Sequence, residues 1–161
     1  EDSFRWAGEH GFHLMTLPYL YREPGILPGF IKSYRNALTA AGHNGGKTDI
    51  LGKFHIYVAD SLEAAIREAE PYLINFFDVH KAADLERQEQ GLLTQRDART
   101  QLEHGFVLAG DPKRVADTIR KWRDETGLTT ISGTFHFGGM PQELALKNIR
   151  LFAEKVMPEF K

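Results

Sequence analysis

Short apolar runs that alternate with amphipathic helical stretches constrain this chain more than any other feature. Residues 12–17 (FHLMTL) form a compact apolar run stopped by Pro18, residues 50–59 (ILGKFHIYVA) a longer one, and residues 129–137 (TTISGTFHF) a third. Residues 106–110 (FVLAG) form a fourth, shorter run. Runs of this length bounded by Pro or Gly read as strands, and strands that are apolar throughout read as buried on both faces. Within 50–59, Phe54, Ile56 and Val58 are expected to alternate against His55 and Tyr57.

Helical patterns fill the spaces between. Residues 3–10 place Phe4 and Ala7 on one side, with Gly11 as the stop. Residues 28–41 repeat apolar side chains at three and four through Phe30, Ile31, Tyr34, Ala37, Leu38 and Ala41, and Pro28 suits a first turn. Asp60 and Glu63 have capping-box spacing ahead of a helix running to about Phe77. Asp111 and Pro112 begin a helix striped by Val115, Ile119 and Trp122. A closing helix over 141–157 is expected to turn Leu144, Ile149, Phe152, Ala153 and Val156 inward. The order α-β-α-β-α-(α)-α-β-α predicts parallel βαβ units in an α/β fold, with one domain over residues 1–161. Residues 78–104 depart from the pattern: they are highly charged, weakly periodic and interrupted by Gly91. By default that segment is a solvated helical face, and its functional reading is a loop that closes over a site.

Bulk composition removes several function classes. A net charge of −2 offers no nucleic-acid or anionic-membrane surface. The absence of cysteine removes disulfides, thiolate metal sites and a cysteine nucleophile, and fits a cytoplasmic location. The residues contain no apolar run long enough to span a membrane and no signal-peptide pattern. The seven histidines (His10, His13, His43, His55, His80, His104 and His136) form no HxxxH or HExxH pair, so no metal is expected. The phrase GGKT (45–48) lacks the glycine a phosphate loop needs five positions before Gly46, because Ala41 stands there, and it follows a helix. It is read as a connection.

A few residues keep two readings. Ser3 is either a helix cap or, with the N–H groups beside it, a seat for a phosphate. Tyr19 and Tyr21, after a strand end, either line a pocket or cover the core. His13 and His55 are read as core histidines. His136 stands near the C-terminal end of the last strand, the end at which parallel α/β folds bind ligands.

Five phrases in order then point to a family: SFRWAGEHGFHLMT, IKSYRNALTAAGHN, FHIYVADSLEAAIREAEPYL, AGDPKRVADTIRKW and FHFGGMPQELALKNIRLFAEKVMP. They resemble the C-terminal half of the bacterial luciferase-like flavin-dependent monooxygenases. The resemblance implies the C-terminal part of a (β/α)8 TIM-type barrel, with three to four parallel strands here out of a chain roughly twice as long. It implies reduced FMN as cofactor, or F420 in a sister branch that transfers hydride. It further implies O2 and a small organic molecule as substrates, and a separate flavin reductase as partner. Ser3 falls where the family places a hydroxyl on the flavin phosphate. Thr16, Leu17 and Tyr19 fall at the end of the sixth strand, near the flavin ring, and residues 78–104 fall where the family keeps a mobile loop. His136 is a candidate catalytic side chain, otherwise a pocket wall. Three or four strands cannot close a barrel. The expectation is therefore an incomplete barrel, inactive alone, that works as a homo-oligomer or with an N-terminal half. A non-catalytic associating α/β module is the alternative from another class.

Overall fold

The computed structural model describes residues 1–21, 25–79 and 97–160. Most of the charged segment, residues 80–96, lies outside the described residues, and with it the expected closing loop. The elements in chain order are α1 (Asp2–Glu9), β1 (Leu14–Thr16), α2 (Ile26–Ala40), β2 (Ile50–Val58) and α3 (Leu62–Val79). Then follow α4 (Ala98–Glu103), β3 (Leu108–Gly110), α5 (Pro112–Thr126), β4 (Thr130–Thr134) and α6 (Gln142–Leu151). β1 and β3 each pair in parallel with β2, and β4 also pairs with β2, so the parallel α/β reading holds. Two compact units divide the chain: Glu1–Lys53 with Lys121–Ser132, and Phe54–Arg120 with Gly133–Lys161.

In the first unit the apolar stripe of α2 is Leu27, Ile31, Tyr34 and Leu38, all buried at helical spacing. The Tyr34 hydroxyl donates to the Phe12 carbonyl at 2.8 Å, which satisfies a phenol that the core would otherwise strand. α1 and α2 approach most closely at Gly8. A Cβ on Gly8 would overlap the Tyr34 carbonyl oxygen and stand 3.0 Å from Ala37 Cβ. Phe4 meets Phe30 near the start of both helices, while Gly8 meets Tyr34 to Leu38 farther along, so α1 and α2 run parallel. β1 pairs over three residues, Leu14↔Ile50 to Thr16↔Gly52. His13 therefore lies before the strand, not in the core as expected: its ring is exposed, and Nδ1 accepts the Asp49 N–H at 2.8 Å.

In the second unit, Phe54 to Val58 of β2 are all buried, so the expected alternation does not appear. His55 is 3% exposed and lies edge-on between Phe76 at 4.4 Å and Phe137 at 5.0 Å, the core role its position predicts. α3 buries Ala65, Ala69, Leu73 and Phe77. Its N-terminal N–H groups are served by Ser61, whose hydroxyl accepts from Ala64 N at 3.1 Å, one residue later than the expected Asp60 cap. Asp111 does cap α5, accepting from Arg114 N at 3.0 Å.

The last strand is shorter and less buried than expected. β4 ends at Thr134, and none of its five residues is fully buried. Gly138 and Gly139 follow with φ of +58° and +76°, the left-handed turn that two glycines permit. The closing helix also differs. Its α-helical part stops at Leu151, a π-helical turn covers Phe152–Val156, and a 3-10 turn covers Met157–Phe160. Ile149 and Ala153 face solvent, and the inward residues are Ala145, Asn148 and Val156.

Asn148 replaces what a neighbouring strand would give β2. Its Oδ1 accepts the Val58 N–H at 2.8 Å, and its Nδ2 donates to the Ile56 carbonyl at 2.6 Å and the Phe135 carbonyl at 3.3 Å. A buried strand cannot leave those main-chain groups unpaired.

Candidate functional site

Helix α1 starts without a side-chain cap. The Glu1 carbonyl accepts from Phe4 N at 3.0 Å and Arg5 N at 3.1 Å, and no side chain serves the first-turn N–H groups before them. Ser3, exposed on that first turn, sets a hydroxyl beside these N–H groups. The carboxylate of Asp2 would oppose an anion there, but the Arg5 guanidinium binds it at 2.9 Å. The terminus thus combines helix-end N–H groups, a hydroxyl and an ion-paired acid.

Because α1 and α2 run parallel and α2 follows β1, the start of α1 lies at the end of the unit to which β1 points. Aromatic contacts show it directly. Phe4, next to Ser3, is 5.4 Å from Phe30 of α2, and Phe30 is 5.9 Å from Tyr21, edge-on, in the segment after β1. Phe30 joins the helix terminus to the strand-end loop. Burial raises the Tyr21 phenol above its ordinary value, so it stays a neutral hydroxyl at any physiological pH.

The predicted ring-side residues lie at the end of β1 and in that loop. Thr16 is the last residue of β1 and is buried, with its hydroxyl 3.5 Å from the Leu51 carbonyl. Tyr19 is half-buried in a 3-10 turn, Pro18–Leu20, held by Leu20 N on the Leu17 carbonyl at 3.0 Å. Ser3, Tyr19 and Tyr21 therefore belong to neighbouring surface segments of one unit, whereas Thr16 presents its hydroxyl to the adjacent strand. His136 stands in the other unit, two residues past β4 and exposed. The GGKT segment is a 3-10 turn whose Gly46 N–H is already bound by Asn44 Oδ1 at 2.9 Å, so it is a connection as read.

Sequence reasoning missed two residues that organise these regions. Phe30 looked like one more member of the α2 stripe, and only the structure shows it facing Phe4 and Tyr21. Asn148 carried a readable signal: it is polar, yet it stands three residues after Ala145 and four before Phe152 in an apolar stripe. Among the described residues, no group of three or more His, Asp or Glu could hold a metal ion. No described helix is long and apolar enough to cross a membrane.

The family described as luciferase-like monooxygenase matches residues 1–130 of this sequence. The chain belongs to that family. Among curated proteins none matches it. Solved structures share the fold. Monooxygenase RslO1 from Streptomyces bottropensis superposes with a TM-score of 0.73 at 23% identity, over 99% of this chain and 45% of its own. The oxygenating constituent of 3,6-diketocamphane monooxygenase from Pseudomonas putida, solved with FMN, gives 0.68 at 20% identity, over 99% and 46%. The coenzyme F420 dependent tetrahydromethanopterin reductase from Methanopyrus kandleri gives 0.61 at 18%, over 98% and 48%. The luciferase-like chain described here thus spans less than half the length of each of these structures.

Proposed function

We propose that this chain forms part of the flavin site of a luciferase-like monooxygenase that uses reduced FMN and O2 on a small organic substrate. The reading rests chiefly on one observation: the uncapped, hydroxyl-bearing start of α1 is joined through Phe30 to the segment that follows β1. Ser3 and the N–H groups beside it hold the phosphate. Tyr19 and Thr16 border the ring, and Phe30, against Phe4 and Tyr21, links the phosphate end to the ring end. Bound reduced FMN would supply the electrons for O2 activation, and a separate reductase would supply the reduced flavin. The barrel is incomplete in these residues, and the chain alone is expected to be inactive, working as a homo-oligomer or beside an N-terminal half.

A second reading shares this geometry. Solved F420-dependent enzymes, including a secondary alcohol dehydrogenase with a TM-score of 0.62, have the same fold, and the F420 reading predicts no O2 consumption.

The test compares reduced FMN, riboflavin and F420 by anaerobic fluorescence titration, with and without Ser3→Ala. A lost charged hydrogen bond corresponds to about a tenfold weaker affinity. Ser3→Ala should produce that loss for FMN and none for riboflavin, which lacks the phosphate. Equal affinity of both proteins for FMN would remove the phosphate role, and binding of F420 alone would select the second reading.

A further inference from the structure

Asn44 is followed by glycine, and the other asparagines are not: Ala37 follows Asn36, Phe76 follows Asn75 and Ile149 follows Asn148. Those three lie inside α2, α3 and α6, where helical hydrogen bonding occupies the next N–H group. Asn44 instead is exposed at the start of a 3-10 turn, Gly45–Lys47, in the connection from α2 to β2. The turn is lightly held. Asn44 Oδ1 accepts from Gly46 N at 2.9 Å, and the Asn44 carbonyl accepts from Lys47 N at 3.0 Å. The Gly45 carbonyl accepts from Thr48 Oγ1 at 3.1 Å and from Thr48 N at 3.5 Å. Among the described residues no acceptor holds the Gly45 N–H.

We propose that Asn44 is a site of spontaneous covalent modification, deamidation through a ring closed by the Gly45 nitrogen. That nitrogen, on a residue without a Cβ to hinder it, attacks Asn44 Cγ. A Cγ–N bond forms, the Cγ–Nδ2 bond breaks, and Nδ2 leaves as ammonia with the Gly45 amide proton. Water then opens the cyclic imide at either carbonyl, which returns a proton to the nitrogen and leaves aspartate or isoaspartate. With ψ at 103°, Asn44 in the closed turn holds the Gly45 nitrogen away from Cγ, so the ring closes in the opened turn. Opening breaks only the few bonds named, which places it at the low end of local stability. The two products differ in consequence. Aspartate keeps an oxygen for Gly46 N and so keeps the turn. Isoaspartate adds a methylene to the main chain directly after His43. The His43 ring lies against Gly11, and its Nε2 donates to the Glu9 carbonyl at 3.1 Å, which ties this connection to the end of α1. Isoaspartate loosens that tie.

The site is tested by holding the full chain in mildly alkaline buffer at physiological temperature, folded and in urea, and sequencing its peptides by mass spectrometry. Asn44 should lose its amide in the folded chain, more slowly than in urea, while Asn36, Asn75 and Asn148 stay intact there. Thr48→Val removes one bond of the turn and keeps the side chain's shape. It should speed the folded-state reaction about fivefold, the worth of one hydrogen bond in the opening equilibrium, and leave the rate in urea unchanged. The isoaspartate fraction, separated by chromatography, should melt below the aspartate fraction. No product at Asn44 in the folded chain, or product at Asn36 formed as fast, overturns the site. An unchanged folded-state rate in Thr48→Val overturns the gating by this turn. The reaction needs no cofactor, so its failure would leave the flavin reading standing.

Discussion

The central strand of the second unit and the first strand of the first unit make opposite use of similar apolar sequence. From Phe54 to Val58, β2 is buried on both faces, and Asn148 ties off its remaining main-chain groups. β1 is three residues long, leaves Met15 in solvent and keeps one edge unpaired among the described residues. Both runs read as buried strands, so apolar content alone does not distinguish them. What distinguishes them is supply: β2 has a helix on hand that can imitate a strand, and β1 does not. Substitutions that strike each region's closest contacts should therefore cost unequal amounts.

The largest loss is expected at Gly138, in the unit of β2. Its φ of +58° disfavours any side chain, and a Cβ would fall inside the radius of the Tyr72 carbonyl oxygen, a main-chain atom of α3. Asn75 Nδ2 fixes the same loop by donating to the Gly138 carbonyl at 3.3 Å. Gly138→Ala should cost about 4 kcal/mol in urea unfolding, the range reserved for strain combined with steric overlap. Asn148→Ala comes next. It strands the Val58 N–H and the Ile56 carbonyl in the core and should cost about 3 kcal/mol, with faster amide exchange at Val58 than elsewhere in β2. A cost below about 0.5 kcal/mol would mean that water or a shifted β4 replaces the amide, and the contrast between the two strands would lose its basis.

Much of this was legible in the sequence, and the failures have physical causes. The strand–helix order and the cap at Asp111 are local matters of periodicity and capping chemistry, and local rules found them. His55 was legible because a histidine inside an apolar run is usually packed. His13, two residues into a similar run, was not: whether a run forms a strand along its whole length depends on its partner, and Asp49 supplies main-chain contact only from Leu14 onward. The cap at Ser61 instead of Asp60 is a one-residue choice between two good N-cap types, which tertiary packing decides. At the candidate site the exposed place of Ser3 on the first turn of α1 was legible from helix-start patterning, and its phosphate role is a proposal. Phe30 was not legible, because a residue that meets a helix start and a strand-end loop is defined by contacts distant in sequence.

Gly8 gives the first unit its own close contact, and it sharpens the comparison. Unlike Gly138 it has ordinary helical geometry, so an alanine gains about 1 kcal/mol of helix propensity against the steric cost. The overlap with the Tyr34 carbonyl must then be relieved by moving α1 away from α2. Gly8→Ala should lose about 2 kcal/mol net and also loosen the Phe4–Phe30 contact, which places part of the effect at the proposed flavin site. Unchanged stability with weakened FMN binding would show that α1 shifts freely, and would separate the helix packing from the fold's stability.

The smallest effect is expected at Asp97, which opens α4 directly after the undescribed segment. Its Oδ2 accepts from Thr100 Oγ1 at 2.5 Å and from Thr100 N at 2.8 Å. These bonds, the hydroxyl's first, hold the carboxyl below its ordinary value. A group with a depressed folded pKa stabilises the fold above its unfolded value, about 3.9, and loses that contribution as pH falls through the lower folded value. Asp97 is exposed, so screening keeps its worth within about 1 kcal/mol. Parent and Asp97→Ala should therefore differ in Tm at pH 6 and converge toward pH 2, and Asp97→Asn should recover most of the difference without the pH dependence. A gap that persists undiminished at pH 2 would show that the side chain acts on α4 through packing, not as a charged cap.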